Sequence, residues 1–318
     1  MKIKQFEYKP LSHYSYAVIS NGEMAIIDPE RNPMQYYAFA KVNRAKIVAV
    51  IETHPHADFV SSHLQIRNET GALIYNSEIL GAEYPYTPFD DGQSITIGNA
   101  TLSAINTPGH SPDSITIVAT QGDETVLFTG DTLFIGDVGR PDLREKAGNI
   151  KAKRQELAEA MYNTIQHKFT ELPDNAVVYP AHGAGSLCGR SLSEANSSTL
   201  GNERMGNWAF KKQTQEQFVE KLLDRQPFIP SYFGFNVDIN KSGAANIRTA
   251  IATVPFKMNT SLDRLIVDVR NEIEFKKGFL KGSINIPATS EDSRFETWLG
   301  AIVEPKEKFS LVIDSPED

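Results

Sequence analysis

Cysteine is all but missing from this 318-residue chain. Cys188 stands alone, which excludes an intramolecular disulfide and suits a reducing compartment. Positive charge is in deficit too: 32 Lys and Arg against 40 Asp and Glu leave a formal net charge of −8. An acidic chain is a poor match for nucleic-acid phosphates or an anionic membrane. No apolar run approaches the roughly 20 residues of a membrane span, and the opening MKIKQFEYKPLSHYSYAVIS has no apolar segment of signal-peptide length. Low-complexity tracts and fixed-period repeats are also lacking. These absences leave a cytoplasmic globular protein, long enough for two domains, with no nucleic-acid and no membrane partner.

The apolar pattern is that of alternating strands and helices. SYAVIS and EMAIIDP read as short strands, the second closed by Asp28 and Pro29. NPMQYYAFAKVNRA has helical spacing, and KIVAVIETH is a β-branched run suited to a strand buried on both faces. Ser61 or Ser62 should cap a short helix that Gly71 ends. ALIYN, SITIGNATLSAINTPGH, SITIVATQGDETVLFTGD and NAVVYPAHG supply further strands, and NIKAKRQELAEAMYNTIQHKF a long helix. The amphipathic TQEQFVEKLLDRQ closes a first domain, residues 1–226. Residues 227–260 read as a connector of little periodicity, and a second strand-helix pattern occupies 261–318.

Histidine is sparse but concentrated. Three of the seven fall within THPHADFVSSH, residues 53–63. His54, His56 and Asp58 alternate, so a strand end sends them to one side, and His110, Asp131 and His182 terminate three further strands. Side chains at adjacent parallel strand ends can converge outside the sheet, where open α/β sheets place their chemistry. Imidazole suits Zn, Cu, Fe or Ni, and an added carboxylate brings in harder, redox-active ions, iron among them. His63, five residues beyond Asp58, falls on the helix and reads as solvent-facing; His13 and His167, outside any motif, read as surface residues.

THPHAD, TPGHSPDS, FTGDTLF and YPAHG, in this order, resemble the four metal motifs of the metallo-β-lactamase superfamily. The likeness covers about residues 1–226 and implies an α/β fold of the αββα sandwich type. Superfamily members usually carry a histidine directly after the aspartate, which helps to build a second metal site. Phe59 stands there instead, so a second site keeps at most Asp58, His182 and a bridging Asp131, and a single ion is implied.

TGDTLFIGDVGRPDL and HGAGSLCG, followed by a rhodanese-like segment, resemble the persulfide dioxygenases, especially the bacterial multidomain ones fused to rhodanese modules. That likeness implies one Fe(II) per chain, held by His54, His110 and Asp131, with its opposite positions open. It also implies a reaction in which both atoms of dioxygen pass to the terminal sulfur of a low-molecular-weight or protein persulfide, giving sulfite and the free thiol. His56, Asp58 and His182 would orient ligands and place water, unless they ligate directly in a two-metal site. Arg140 is a candidate anchor for an oxyanion, with Asp142 holding it, against the plainer role of tying its own loop. Cys188 is a candidate for passing on sulfur, against that of a small buried apolar residue. A zinc thioester hydrolase resembling glyoxalase II, and a non-enzymatic scaffold docking sulfur carriers, are the competing readings.

LIVDVRNEIEFKKGFLKGSINIP resembles the opening of a rhodanese domain. A working sulfurtransferase places a cysteine directly after the next strand, whereas here FSLVID is followed by SPED. The second domain is therefore expected to share the rhodanese-like α/β fold in incomplete form and to lack its activity. A longer parent chain with further rhodanese modules, and a homo-oligomer, are the accompanying expectations.

Overall fold

The computed structural model describes residues 1–143, 154–189, 193–224, 226, 228–256 and 263–313. They fall into two compact units, Met1–Ile229 with Phe233–Ala245, and Pro230–Tyr232 with Asn246–Asp318.

The first unit opens with strands β1 (Lys2–Tyr8), β2 (His13–Ser20) and β3 (Glu23–Ile27), helix α1 (Met34–Asn43), strand β4 (Lys46–Ile51), helix α2 (His63–Thr70), and strands β5 (Leu73–Asn76) and β6 (Thr87–Pro88). Their strands form one six-stranded sheet in sequence order. Strands β7 (Ser94–Ile97), β8 (Ala100–Asn106), β9 (Ile115–Gln121) and β10 (Glu124–Gly130), helix α3 (Arg154–His167), strands β11 (Val177–Pro180) and β12 (Ser198–Thr199), and helices α4 (Leu200–Gly206) and α5 (Gln215–Leu223) follow. These strands build a second sheet, ordered β12-β11-β10-β9-β8-β7.

Period-two burial stacks the layers. Val126 and Phe128 of β10 point into a core shared with Tyr16, Val18, Ala25, Ile27 and Ile51 of the first sheet. Leu127 between them points the other way, onto Ala158, Met161 and Ile165 of α3 and Phe218 of α5. On the far face, Ala17, Met24 and Ile26 meet Tyr36 of α1 and Ile66 of α2. The order is helix, sheet, sheet, helix, the expected αββα sandwich. Helix α2 ends at Gly71 in the left-handed region (φ 78°), and α5 starts with a reciprocal Thr214–Gln217 capping box. Of the long helix expected over 149–169, the part before Arg154 lies outside the described residues.

Among its described residues, the stretch expected to be an unpatterned connector contains two helices, α6 (Phe233–Ser242), packed within the first unit, and α7 (Ile247–Ala252), in the second. The second unit continues with β13 (Leu265–Asp268), α8 (Glu272–Lys277), β14 (Ser283–Asn285), α9 (Phe295–Ile302) and β15 (Phe309–Val312). Its sheet is parallel, ordered β14-β13-β15, over a small core of Val267, Ile286 and Val303. At the end of β13, Arg270 grips Asp268 (2.6 Å). The SPED segment lies outside the described residues. Among the described residues, no helix is long and apolar enough to cross a membrane.

Candidate metal centre

Four strand ends feed one centre, but from two sheets rather than from adjacent parallel strands of one. The loop after β4 carries His54, His56 and Asp58, while the segments after β8, β10 and β11 carry His110, Asp131 and His182. Six of the seven histidines are buried, His167 being the exception. That corrects two expectations: His13 and His63 are each 1% exposed. His13 pairs across a β-bridge with His182, and His63, at the start of α2, turns its Nδ1 to Glu52 at 3.3 Å.

His54, His110 and Asp131 form one group whose donor atoms converge. Asp131 Oδ2 lies 3.5 Å from His110 Nε2 and 3.9 Å from His54 Nε2. Both imidazoles are oriented from behind. The Nδ1 of His110 meets the main-chain carbonyl of Arg140 at 2.9 Å, so Nδ1 carries the hydrogen and Nε2 the lone pair. Thr53 does the same for His54. Its hydroxyl donates to Asp28 Oδ2 (2.8 Å) and, having one hydrogen, accepts from His54 Nδ1 (3.0 Å). Asp28 ends β3 in the left-handed region (φ 50°) and also accepts the Thr53 main-chain N–H (2.7 Å).

Two glycines let the backbone close on the centre. A Cβ on Gly139 would lie 1.8 Å from the Asp131 carbonyl oxygen, and one on Gly130 (φ +51°) would lie 2.5 Å from Thr53 Oγ1.

Asp58, His182 and Cys188 make a second converging group. His182 Nε2 lies 3.4 Å from Asp58 Oδ2 and 3.6 Å from Asp131 Oδ1, so the Asp131 carboxylate faces both groups. Burial, reinforced by Asp131 and Asp58, pushes the Cys188 thiol well above its usual range and keeps it protonated. Phe59 packs against two imidazoles, 4.2 Å from the His13 ring and 4.4 Å from that of His56.

His56 belongs to a third cluster, which residue patterns did not reveal. Its Nε2 lies 3.2 Å from Asp28 and 3.3 Å from Glu52. Burial disfavours a charged His56, but the two carboxylates outweigh it and hold its pKa well above the ordinary value. Burial likewise opposes a charged Glu52, yet His56 and His63 bring it down to about 2. Its signal in the sequence is Asp28, a carboxylate closing a strand ahead of Pro29.

Arg140 is fully buried, and its fork is taken: Nε and Nη2 donate to Asp142 at 2.7 Å each and Nη1 to the Leu187 carbonyl at 3.2 Å. The candidate oxyanion anchor is thus held by Asp142 of its own loop and by the Leu187 carbonyl of another.

The chemistry of the centre fits a bound cation. Both oxygens of Asp131, Asp58 Oδ2 and both nitrogens of His182 are buried without a hydrogen-bond partner. A carboxylate so placed is costly unless a cation neutralises it. In the His54–His110–Asp131 group the separations of 3.5 and 3.9 Å exceed hydrogen-bond length and lie at or a little above the roughly 3 to 3.5 Å between neighbouring ligands whose bonds to one ion are near 2.1 Å.

Comparison with known proteins agrees. The family described as the metallo-beta-lactamase superfamily matches residues 8–182. The mitochondrial persulfide dioxygenase ETHE1 of Bos taurus is 30% identical over 256 residues, covering 79% of this chain and 89% of its own. A cytoplasmic hydroxyacylglutathione hydrolase of Arabidopsis thaliana is 28% identical over 176 residues, covering 54% of this chain and 63% of its own. The crystal structure of a metallo-beta-lactamase from Staphylococcus aureus subsp. aureus COL superimposes with a TM-score of 0.86 at 34% identity, over 98% of this chain and 92% of that one. The chain belongs to the metallo-beta-lactamase superfamily.

Proposed function

We propose that this protein is an iron-dependent persulfide dioxygenase, converting a thiol persulfide, dioxygen and water into the thiol and sulfite. The observation that carries the reading is the buried group of two imidazoles and one carboxylate, His54, His110 and Asp131, the donor set of non-haem iron oxygenases. The bovine persulfide dioxygenase, matched over most of both chains, supports it. Iron bound by these three residues would supply the redox chemistry that lets dioxygen react with sulfur.

The remaining work falls to the chain itself. Thr53 and Arg140, through its carbonyl, hold the two imidazoles in the tautomer that presents Nε2. The third oxygen of sulfite comes from water, whose proton needs an acceptor. His182 is placed to take it, buried beside the centre with its Nε2 3.6 Å from Asp131 Oδ1. Phe59, buried against the His13 ring at 4.2 Å, offers the site an apolar side chain where a ligand could stand. The second unit is proposed to be rhodanese-like in fold and to lack sulfur-transfer chemistry, because SPED and not a cysteine follows FSLVID.

A second reading, a zinc thioester hydrolase, is favoured by the Asp131 carboxylate facing both ligand groups, as a bridging ligand would. Phe59 weighs against it by withholding an imidazole from the second group. Anaerobically purified protein assayed for metal and for oxygen uptake with a low-molecular-weight persulfide decides between them. Iron with sulfite formation supports the dioxygenase; zinc with thioester cleavage overturns it.

A further inference from the structure

The loop of residues 52–62 carries His54, His56 and Asp58, is almost wholly buried, and contains no helix or strand. Its main-chain groups must still find partners, because a buried orphan costs about 1–3 kcal/mol. At its start the sheets provide them: Glu52 N donates to the Tyr75 carbonyl (3.0 Å), and the Thr53 carbonyl accepts from Ile115 N (2.8 Å). The far half is held by two side chains some 180 residues away. Asn240 Nδ2 donates to the carbonyls of His56 and Phe59 at 2.8 Å each, and Asn240 Oδ1 accepts from Ser61 N at 2.8 Å. Asn236 Nδ2 donates to the Ala57 carbonyl at 3.0 Å.

Both asparagines are buried on α6, four residues apart and so on one face. Asparagine is a poor helix former, and a face packing only for cohesion would carry apolar residues instead. The flanking Phe233 and Val237 do that. The four bonds bracket Asp58, two on residues before it and two on residues after it, and its carboxylate faces His182.

We propose that Asn240, assisted by Asn236, is a positioning residue of the metal centre: α6 clamps the ligand loop by its backbone and thereby sets where Asp58 and the two histidines stand. The clamp rests on the metal centre, not on which reaction the centre performs.

The test is Co(II) binding by the full chain, followed by competitive titration and by the Co(II) d–d absorption spectrum, with melting of the metal-free protein alongside. Asn240→Ala and Asn240→Asp, the latter turning carboxylate oxygens toward two carbonyls, should weaken Co(II) binding tenfold to a hundredfold and alter the spectrum. Asn236→Ala, losing one bond of four, should weaken it a few-fold, and carries the test should the Asn240 variants not fold. Val237→Ala should lower the melting temperature while leaving affinity and spectrum unchanged. Asn variants with parental affinity and spectrum, or a Val237→Ala change as large as theirs, overturn the clamp. Failure of the parent chain to bind Co(II) overturns the metal centre and the clamp together.

Discussion

Replacing Thr53 by valine keeps the side chain's shape and removes its oxygen, which isolates the relay from Asp28 through Thr53 to His54. Two hydrogen bonds disappear, the 2.8 Å bond to Asp28 Oδ2 and the 3.0 Å bond from His54 Nδ1. The Thr53 main-chain bond to Asp28 Oδ1 remains, so the loop keeps its place while His54 loses what fixes its tautomer. Loss of such a supporting group weakens metal binding about 10- to 100-fold, or about 1.4–2.7 kcal/mol. Thr53→Ser retains the hydroxyl and should stay within about twofold of the parent, since no bond of the relay is lost. Competitive titration with Co(II) against a chelating indicator measures all three proteins. Parental affinity in Thr53→Val would show that the relay does not orient His54.

Three further outcomes follow from particular contacts. Gly139→Ala puts a Cβ 1.8 Å from the Asp131 carbonyl oxygen; since backbone must move, Co(II) affinity should fall at least about tenfold, and unchanged binding would deny that this close approach matters. Phe59→His supplies an imidazole beside Asp58 and His182, and equilibrium dialysis with Zn(II) should show a second equivalent per chain; saturation at the parental stoichiometry would refute the part given to Phe59. Glu30, half-buried, has its carboxyl pushed up to about 7 by burial. An acid raised in the folded state costs stability as pH climbs through the interval between its unfolded value of 4.5 and about 7. Glu30→Gln should thus stabilise the protein by about 1–2 kcal/mol at pH 8, after discounting for partial exposure, and by almost nothing at pH 4. Equal effects at both pH values in urea unfolding would refute the assignment.

Much of this molecule could be read from residue patterns, and the exceptions share a cause. KIVAVI announces itself as a strand by a β-branched run buried on both faces, and α5 as a helix by its one apolar face. The ligand motifs were legible because they sit at strand ends. Burial of His63 was not, since it depends on Glu52 lying underneath, nor that of His13, which depends on Phe59 and His182. Asp28 looked like strand punctuation because its partner Thr53 lies 25 residues on. Helix α6 escaped because its buried face alternates Phe233 and Val237 with Asn236 and Asn240, breaking the apolar stripe that marks a helix. Helix α7 is only six residues long and buries none of them.

The central claim is that His54, His110 and Asp131 hold one catalytic iron. Metal analysis of anaerobically purified protein, set beside that of His110→Ala and coupled to oxygen uptake with a low-molecular-weight persulfide, tests it most directly. About one iron per chain and oxygen-dependent sulfite are expected in the parent, with both lost in the variant. Full iron occupancy in His110→Ala, or a parent that holds two zinc ions and consumes no oxygen, would contradict it.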